Sequence, residues 1–366
     1  MFLLFFFLTF CMALSATKWH ELHKYDFDKY VIEFNKQHYT QKEMNSRQKL
    51  FNKNLYEIQQ HNKNAFVTWK RGVNKFTDMT NDELKMFLGS KKTTRHTSQY
   101  AVHDKKKRLI DDSLPQKIDW RDYDVITGVK DQGRCGSCWS FSASEAIESY
   151  YAISNGRLPT LSEQQILDCT SNAMGCGNDI GGGCNGGTVE RAFDQIGKMG
   201  GLASEWTYPY TSYFGDSNYC NKTRARSQND RVSLKSYVVL PPNEYQPLLE
   251  HLALVGPPSI SVDASAWFSY ESGVFNGCNK TNPDINHAVQ LVSFGTDDQF
   301  GDYWGVRNSW GTGWGEEGYI RLYRSPNVEC GMDLTPENGN GCPGDPPVKV
   351  CGTCGILFDS VYPIVA

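Results

Sequence analysis

The sequence predicts an α+β fold, with helices in the earlier part of the chain and short antiparallel strands in the later part. Three observations carry that expectation. Apolar residues recur at helical spacing between residues 20 and 62 and again after Cys138, the period of an amphipathic helix. From Ala288 the pattern changes to β-rich runs, AVQLVSF, YWGVRN and GYIRLY, separated by Gly and Asp turn signals. Between these regions, residues 171–187 are Gly-rich and must be loop. With 366 residues, 39% of them hydrophobic, the chain can bury the cores of two or three domains.

The first fourteen residues, MFLLFFFLTFCMAL, are almost wholly apolar, yet fall short of the roughly 20 that span a bilayer. Small residues at Ala13, Ser15 and Ala16 suit cleavage near position 15 or 16, so residues 1–16 read as a signal peptide. No Lys or Arg precedes its apolar core, which departs from the usual pattern. No later segment could span a membrane. Residues 20 to 62 read as helix: Phe27, Tyr30, Val31 and Phe34 recur at i, i+3, i+4 and i+7, and Phe51, Leu55 and Ile58 continue the stripe. The stretch 89–108, GSKKTTRHTSQYAVHDKKKR, is polar and basic and reads as an exposed linker open to proteolysis. The helix after Cys138 sets Trp139, Ala143, Ala146, Ile147, Tyr150 and Ile153 on one face and stops at Asn155-Gly156. Near the end, TPENGNGCPGDPPVK reads as an irregular insertion.

A net charge of −4 hides an asymmetry: residues 17–112 carry +8, and the chain from Ser113 onward carries −12. Two such pieces attract each other. Nucleic-acid binding fits poorly, because the larger piece is acidic. Of twelve cysteines, Cys11 leaves with the signal peptide, and the remaining eleven suit five bridges plus one reactive thiol. The sequons at Asn221 and Asn279 fit the same secretory route.

The densest chemical signal is Gln132-Gly133-Arg134-Cys135-Gly136-Ser137-Cys138-Trp139. Cys138 heads a predicted helix, whose N-terminal partial positive charge favours the thiolate that a nucleophile needs. A histidine must pair with it and later protonate the leaving amine. His287 stands in Ile285-Asn286-His287-Ala288, 149 residues downstream, and Asn308 in Arg307-Asn308-Ser309-Trp310-Gly311, 170 residues downstream. In this order the motifs resemble those of papain-like cysteine peptidases, over essentially the whole chain. The histidine lies near the upper end of the roughly 130–150 residue spacing expected there, and the asparagine beyond it. The Gly-rich stretch around 171–183 absorbs the excess.

That resemblance implies the two-domain papain-like fold, with a helical left domain, an antiparallel β-rich right domain and the catalytic pair across a cleft. It implies hydrolysis of peptide bonds through an acyl-enzyme thioester, with Cys138 as nucleophile and His287 as general acid/base. Asn308 orients the imidazole, Trp310 shields that bond from water, and Gln132 joins the Cys138 amide in stabilising the oxyanion. No cofactor or metal is implied.

The front of the chain extends the resemblance. Glu43, Arg47, Phe51, Asn54, Ile58 and Asn62 reproduce the interspersed ERFNIN pattern of cathepsin L-like propeptides, and Gly72, Asn74, Phe76 and Asp78 resemble their second motif. Such propeptides cross the cleft opposite to substrate. The division expected is therefore signal peptide 1–16, inhibitory propeptide 17–112 and peptidase 113–366. Expected partners are protein and peptide substrates, the chain's own propeptide and cystatin-type inhibitors. The expected compartment is the secretory pathway, ending in the lysosome or outside the cell, with activation by loss of carboxylate charge at acid pH.

By the same resemblance Cys135 pairs with Cys184, and Cys169 with Cys220. Cys278 has two candidate partners, Cys330 and Cys354, of which Cys354 matches the family terminus better, making residues 328–353 an insertion. Cys176, Cys330, Cys342 and Cys351 then admit three connectivities, at least one bridge tying the 171–183 loop to the insertion. Two rival classes fail. A thiol–disulfide oxidoreductase would use Cys135-Gly136-Ser137-Cys138, but no thioredoxin-like βαβ pattern precedes it. A zinc module of Cys342, Cys351 and Cys354 lacks a second ligand pair.

The substrate side follows from matching motifs. Gly186 and Gly187, without side chains, let a peptide pair edge-on with the backbone. The pocket for the second residue before the cut bond gains walls from Val189, Ser261 and Ala288 and a floor from Asp359. Apolar walls favour Leu, Val or Phe, and a carboxylate floor can meet a basic side chain.

Overall fold

The protein is described from a computed structural model covering residues 17–37, 40–90, 101–103 (backbone only), 114–171, 182–216, 218–227, 231–339 and 341–366. The expected signal peptide, the expected activation cleavage region, Cys176 and most of the 89–108 stretch lie outside the described residues.

The leading part is helical but not one helix. A 3₁₀ turn at Trp19–Lys24 precedes α1 (Phe27–Glu33) and α2 (Gln41–Lys63). The break follows from capping: Asn35 takes a left-handed φ of 47° after α1, and Thr40 caps α2 by accepting from the Glu43 amide. The two helices fold onto each other around Leu22, Tyr25, Phe27, Tyr30, Phe51, Leu55, Ile58 and Val73. Strand β1 (Trp69–Arg71), α3 (Asn81–Lys85) and β2 (Ala101–His103) complete this part.

The later part begins with β3 (Ile118–Asp119), then α4 (Cys138–Asn155), α5 (Glu163–Cys169), α6 (Val189–Met199) and α7 (Lys222–Ala225). Next come β4 (Leu234–Val239), α8 (Tyr245–Leu254), β5 (Ser259–Val262), β6 (Tyr270–Phe275), β7 (His287–Asp297), β8 (Gly301–Arg307) and β9 (Tyr319–Tyr323). The chain closes with β10 (Cys330–Asp333), β11 (Val348–Cys351) and β12 (Asp359–Val365). One sheet runs β1-β6-β9-β8-β7-β5-β12-β4-β2, with β3 also on β7. It is antiparallel except at β6–β9 and β2–β4, which are parallel. Strand β7 sits centrally, and its first nine residues are buried, which explains an apolar run without alternation.

The later part holds two apolar cores. One gathers α4, α6 and their neighbours around Trp139, Ile147, Phe193 and Tyr237. The other packs the sheet around Trp267, Trp304, Trp314 and Ile320. Helix α4 lies between them and is buried almost all round, not on one face as its spacing predicts. Ile153 is the departure, being 38% exposed. Several of the polar residues inside find partners at once. Ser140 Oγ donates to the Ser137 carbonyl and Ser142 Oγ to the Val289 carbonyl. Glu148 meets Lys130 at 2.6 Å, and Glu145 meets Arg307 at 3.4 Å. The helix ends at Gly156, whose φ of 68° terminates it.

The 328–353 insertion is built on a strand pair, with most of the 335–349 stretch in the connection between its strands. Strands β10 and β11 pair in antiparallel register from Cys330↔Cys351 to Asp333↔Val348, making the insertion a hairpin. Its Met332 amide donates 3.1 Å to the Thr281 carbonyl and its Leu334 amide 2.9 Å to Asn282 Oδ1.

Candidate active site

Helix α4 begins at Cys138, with Ser137 at its N-cap, so the sulfur stands at the positive end of an 18-residue helix. Cys138 is buried and is the one cysteine among the described residues outside a disulfide. The Ala288 amide, on β7, donates to its sulfur at 3.5 Å. His287 precedes Ala288 and is fully buried. Its Nε2 meets Asn308 Oδ1 at 2.7 Å, while its Nδ1 is buried without a hydrogen-bond partner. Burial pushes the imidazole down to about 4, the Asn308 bond opposing that shift. In the closed chain burial therefore favours the neutral imidazole.

Aromatic rings seal the pair. Trp310 lies 4.9 Å from the His287 ring at 34° and stacks on Phe268 at 4.8 Å and 8°. Arg307, fully buried, donates to the Gly128 carbonyl at 2.5 Å and to Thr127 Oγ1 at 3.0 Å. That contact fixes the end of β8 just before Asn308.

Gln132 is also brought to the centre. Its Nε2 donates to the Cys135 carbonyl at 2.7 Å and to the Phe87 carbonyl at 3.1 Å, the latter from the leading part of the chain. Sequence reasoning missed the residue that aims this amide: Ser309 Oγ donates 2.6 Å to Gln132 Oε1, fixing which end of the carboxamide faces the cleft. Ser309 lies inside the Asn308 motif, so its neighbour was visible but its partner was not. Tyr210 was missed altogether; its phenol donates 2.8 Å to the Gln132 carbonyl.

The leading segment fills the cleft. The Gly187 amide donates 2.9 Å to the Gly89 carbonyl, and the Ser90 amide 3.0 Å to the Asn286 carbonyl. The Ser90–Gly187 bridge is parallel. Gly89 and Ser90 are buried, so the start of the 89–108 stretch is not the exposed linker its composition predicts, and Ala101–His103 pair with β4. Backbone pairing in a closed groove outweighs a polar composition. A Cβ on Gly89 would stand 2.0 Å from the Gly136 carbonyl oxygen, so the approach requires glycine.

Of the remaining predicted residues, Asp359, Ser261 and Ala288 are in register across β12, β5 and β7, so their side chains share one face. Asp359 is 4% exposed and accepts from Ser261 Oγ at 2.8 Å. Ser90 Oγ reaches Ser261 Oγ at 3.4 Å. Val189, at the start of α6, belongs to the same apolar cluster as Cys138 and Ala288. Gly186 takes φ 97°, open to glycine.

Disulfides join Cys135–Cys184, Cys169–Cys220, Cys278–Cys354 and Cys330–Cys351, and Cys342 is also bridged. With Cys135 paired to Cys184 and the insertion thiols consumed, neither a Cys135–Cys138 redox pair nor a thiolate zinc site is left among these residues. The sequon residues Asn221 and Asn279 are both exposed.

The pro-type motifs also converge. Arg47 forks onto Glu83 at 2.5 and 2.6 Å, Asn54 Nδ2 donates to the Thr77 carbonyl at 2.7 Å and Asn62 Nδ2 to the Arg71 carbonyl at 2.7 Å. Asp78 accepts from Tyr30 at 2.8 Å and Lys36 at 2.7 Å.

Comparison with known proteins places this geometry. Residues 114–338 match the model of the "Papain family cysteine protease", and residues 27–84 that of the "Cathepsin propeptide inhibitor domain". The "Cathepsin L" of Sarcophaga peregrina is 34% identical over 324 residues, covering 85% of this chain and 91% of the relative. The "Viral cathepsin" of Adoxophyes honmai nucleopolyhedrovirus is 38% identical over 323 residues, covering 86% and 90%. Among solved structures, a digestive procathepsin L2 proteinase from Tenebrio molitor larval midgut superposes with a TM-score of 0.74 at 30% identity, covering 92% of this chain and 98% of that one.

Proposed function

The chain belongs to the papain family of cysteine proteases and carries a cathepsin propeptide, and from that premise we propose which residues perform the reaction and how the precursor opens. It is a cysteine endopeptidase made as a zymogen. Cys138 attacks the peptide carbonyl as the thiolate. His287 holds the thiol proton and passes it to the leaving amine, leaving a thioester that water cleaves with His287 as base. Asn308 keeps the ring in plane. The Cys138 amide and Gln132 Nε2 meet the oxyanion, a donor of this kind contributing roughly 3–4 kcal/mol to the transition state. The observation that carries this reading is the closure of Cys138, His287, Asn308 and Gln132 into one buried constellation, with the Phe87 carbonyl already lodged on the Gln132 donor.

Residues 17–112 form the inhibitor and 113–366 the peptidase, after loss of a signal peptide at 1–16. The parallel Ser90–Gly187 pairing supports inhibition by a reversed strand. Activation proceeds at acid pH. The sequons at Asn221 and Asn279 and the bridges suit the secretory pathway, with a lysosomal or extracellular destination, and cystatin-type inhibitors suit the same cleft. Among the described residues no helix is long and apolar enough to cross a membrane.

The buried carboxylate of Asp359, in register with Ser261 and Ala288, supports acceptance of Arg as well as Leu or Phe at the second substrate position before the cut. Activity of the activated enzyme against fluorogenic peptides tests the whole assignment. Cys138→Ala and His287→Ala should each remove turnover, and Asn308→Ala should weaken it. Asp359→Ala should remove Arg acceptance and spare Leu. Ordinary activity in Cys138→Ala would sink the reading, and equal effects on Arg and Leu substrates would sink the pocket.

A further inference from the structure

Ser137 occupies the N-cap of α4, one residue before Cys138. A serine there ordinarily turns its hydroxyl onto an amide of the first helical turn. Here the side chain makes no such bond. Its Oγ lies 2.9 Å from the phenol oxygen of Tyr210, and Tyr210 gives its own proton to the Gln132 carbonyl at 2.8 Å. A phenol has a single hydrogen, so the order of donation is fixed: Ser137 to Tyr210, and Tyr210 to Gln132. The tyrosine is itself held in place. Its ring meets Phe141 edge-on at 5.0 Å and 76°, and its amide donates 2.7 Å to Glu205 Oε1.

We propose that Tyr210 is a positioning residue of the catalytic centre, which draws the Ser137 hydroxyl off the first turn of α4 and in the same bond network fixes the backbone of Gln132. Both consequences bear on the chemistry. A capping hydroxyl presents an acceptor oxygen to the positive end of the helix, where it competes with the Cys138 thiolate for the same amides and the same field. With the hydroxyl withdrawn, that field is left to the sulfur. The Gln132 carbonyl, tied to Tyr210, holds the main chain from which the oxyanion donor projects. Burial pushes the Tyr210 phenol up, so it stays a donor throughout the working range of the enzyme. The inference rests on Cys138 as nucleophile and Gln132 as oxyanion donor.

The test uses activated enzyme prepared from the full-length chain. It follows inactivation by iodoacetamide, a neutral thiol reagent, across pH, together with kcat and KM. Tyr210→Phe keeps the ring against Phe141 and removes only the hydroxyl. The inflection for Cys138 alkylation should move up by about 0.2–0.7 pH unit, the size of one helix-terminal charge interaction. kcat should fall several-fold with KM unchanged, less than the roughly 10²–10³ of losing an oxyanion donor outright. In a Ser137→Ala background no hydroxyl can swing back, so Tyr210→Phe should leave the inflection in place while the kcat loss persists. Ser137→Ala alone should also leave the inflection where it is. This readout stays informative even if Tyr210→Phe does not fold, because a shift in Ser137→Ala would show that the hydroxyl already caps the helix. An unmoved inflection in Tyr210→Phe, or a shift that survives in the double variant, would overturn the proposal. Failure of iodoacetamide to label Cys138 in the wild-type enzyme would instead remove the nucleophile assignment beneath it.

Discussion

The leading segment holds the enzyme shut through two unlike regions. Its helical head works by side chains. Phe51 is fully buried and stacks on Tyr30 at 4.7 Å, while Trp69, Phe76, Met79 and Phe87 enter the core of the peptidase sheet. Phe76 meets Trp310 at 5.2 Å and Phe268 at 5.2 Å, and β1 adds a strand to β6. The cleft strand works by backbone. Gly89 and Ser90 offer almost no side chain, and their bonds run from Gly187 and to Asn286 through main-chain atoms. Apolar area scales with stabilisation, so the head supplies the hold. The strand supplies the block, since a parallel peptide presents its carbonyls in the wrong order for attack. Anchoring and inhibition are thus separable.

The strongest way to break this comparison is Phe51→Ala. Emptying a buried aromatic site costs about 3–5 kcal/mol, so the head should unfold and the full-length chain should gain peptidase activity at neutral pH, read with a fluorogenic peptide. Retained latency with an unfolded head would show that the strand alone suffices.

A second expectation concerns pH. In the closed chain burial holds His287 near 4, whereas in an open Cys138→Ala chain, which has no thiol proton to take up, it returns toward its ordinary value of about 6.5. Above about 6.5 both states are neutral and nothing is lost. As pH falls from about 6.5 toward 4 the open state binds a proton that the closed state refuses, so closure weakens progressively. The full shift corresponds to an upper bound of about 3 kcal/mol. Amide protection factors at Ser90 and Gly187 in full-length Cys138→Ala should fall across that window. Adding His287→Gln should flatten the fall; an unchanged profile would return acid opening to the carboxylates alone.

Gly89→Ala separates strand from head. The added Cβ meets backbone, and overpacking of that kind costs roughly 1–3 kcal/mol. Partial activity should appear with the head still folded by circular dichroism. Full latency would mean that the strand shifts without leaving.

The smallest effect belongs to charge. The +8 and −12 of the two pieces suggest an electrostatic clamp. Yet among the described residues the salt bridge that crosses between them is Lys75–Asp131, at 2.7 Å with both side chains over a quarter exposed. Such pairs contribute about 0.2–1 kcal/mol. Lys75→Ala should therefore raise zymogen activity at most a few-fold, and added salt should remove the difference. A tenfold rise would restore the clamp to first place.

Much of this was legible in the sequence, because local chemistry has local signatures. The α4 helix, its Gly156 stop, the β7 run and the α2 face from Arg47 to Asn62 follow from spacing and caps written in consecutive residues. Local motifs also carry Cys138 and Gln132 together, and His287 and Asn308 one each. What spacing could not decide is who stands opposite whom. Ile153 satisfies the helical period and is exposed all the same, since burial depends on what arrives from elsewhere. Ser309 aims Gln132 from 177 residues away, and Tyr210 turns the Ser137 hydroxyl from 73 residues away. Gly89 and Ser90 read as solvent-exposed linker until a groove closes over them. A hydrogen bond is set by distance and angle in space, and in sequence those partners share no period, so only the packed structure could bring them together.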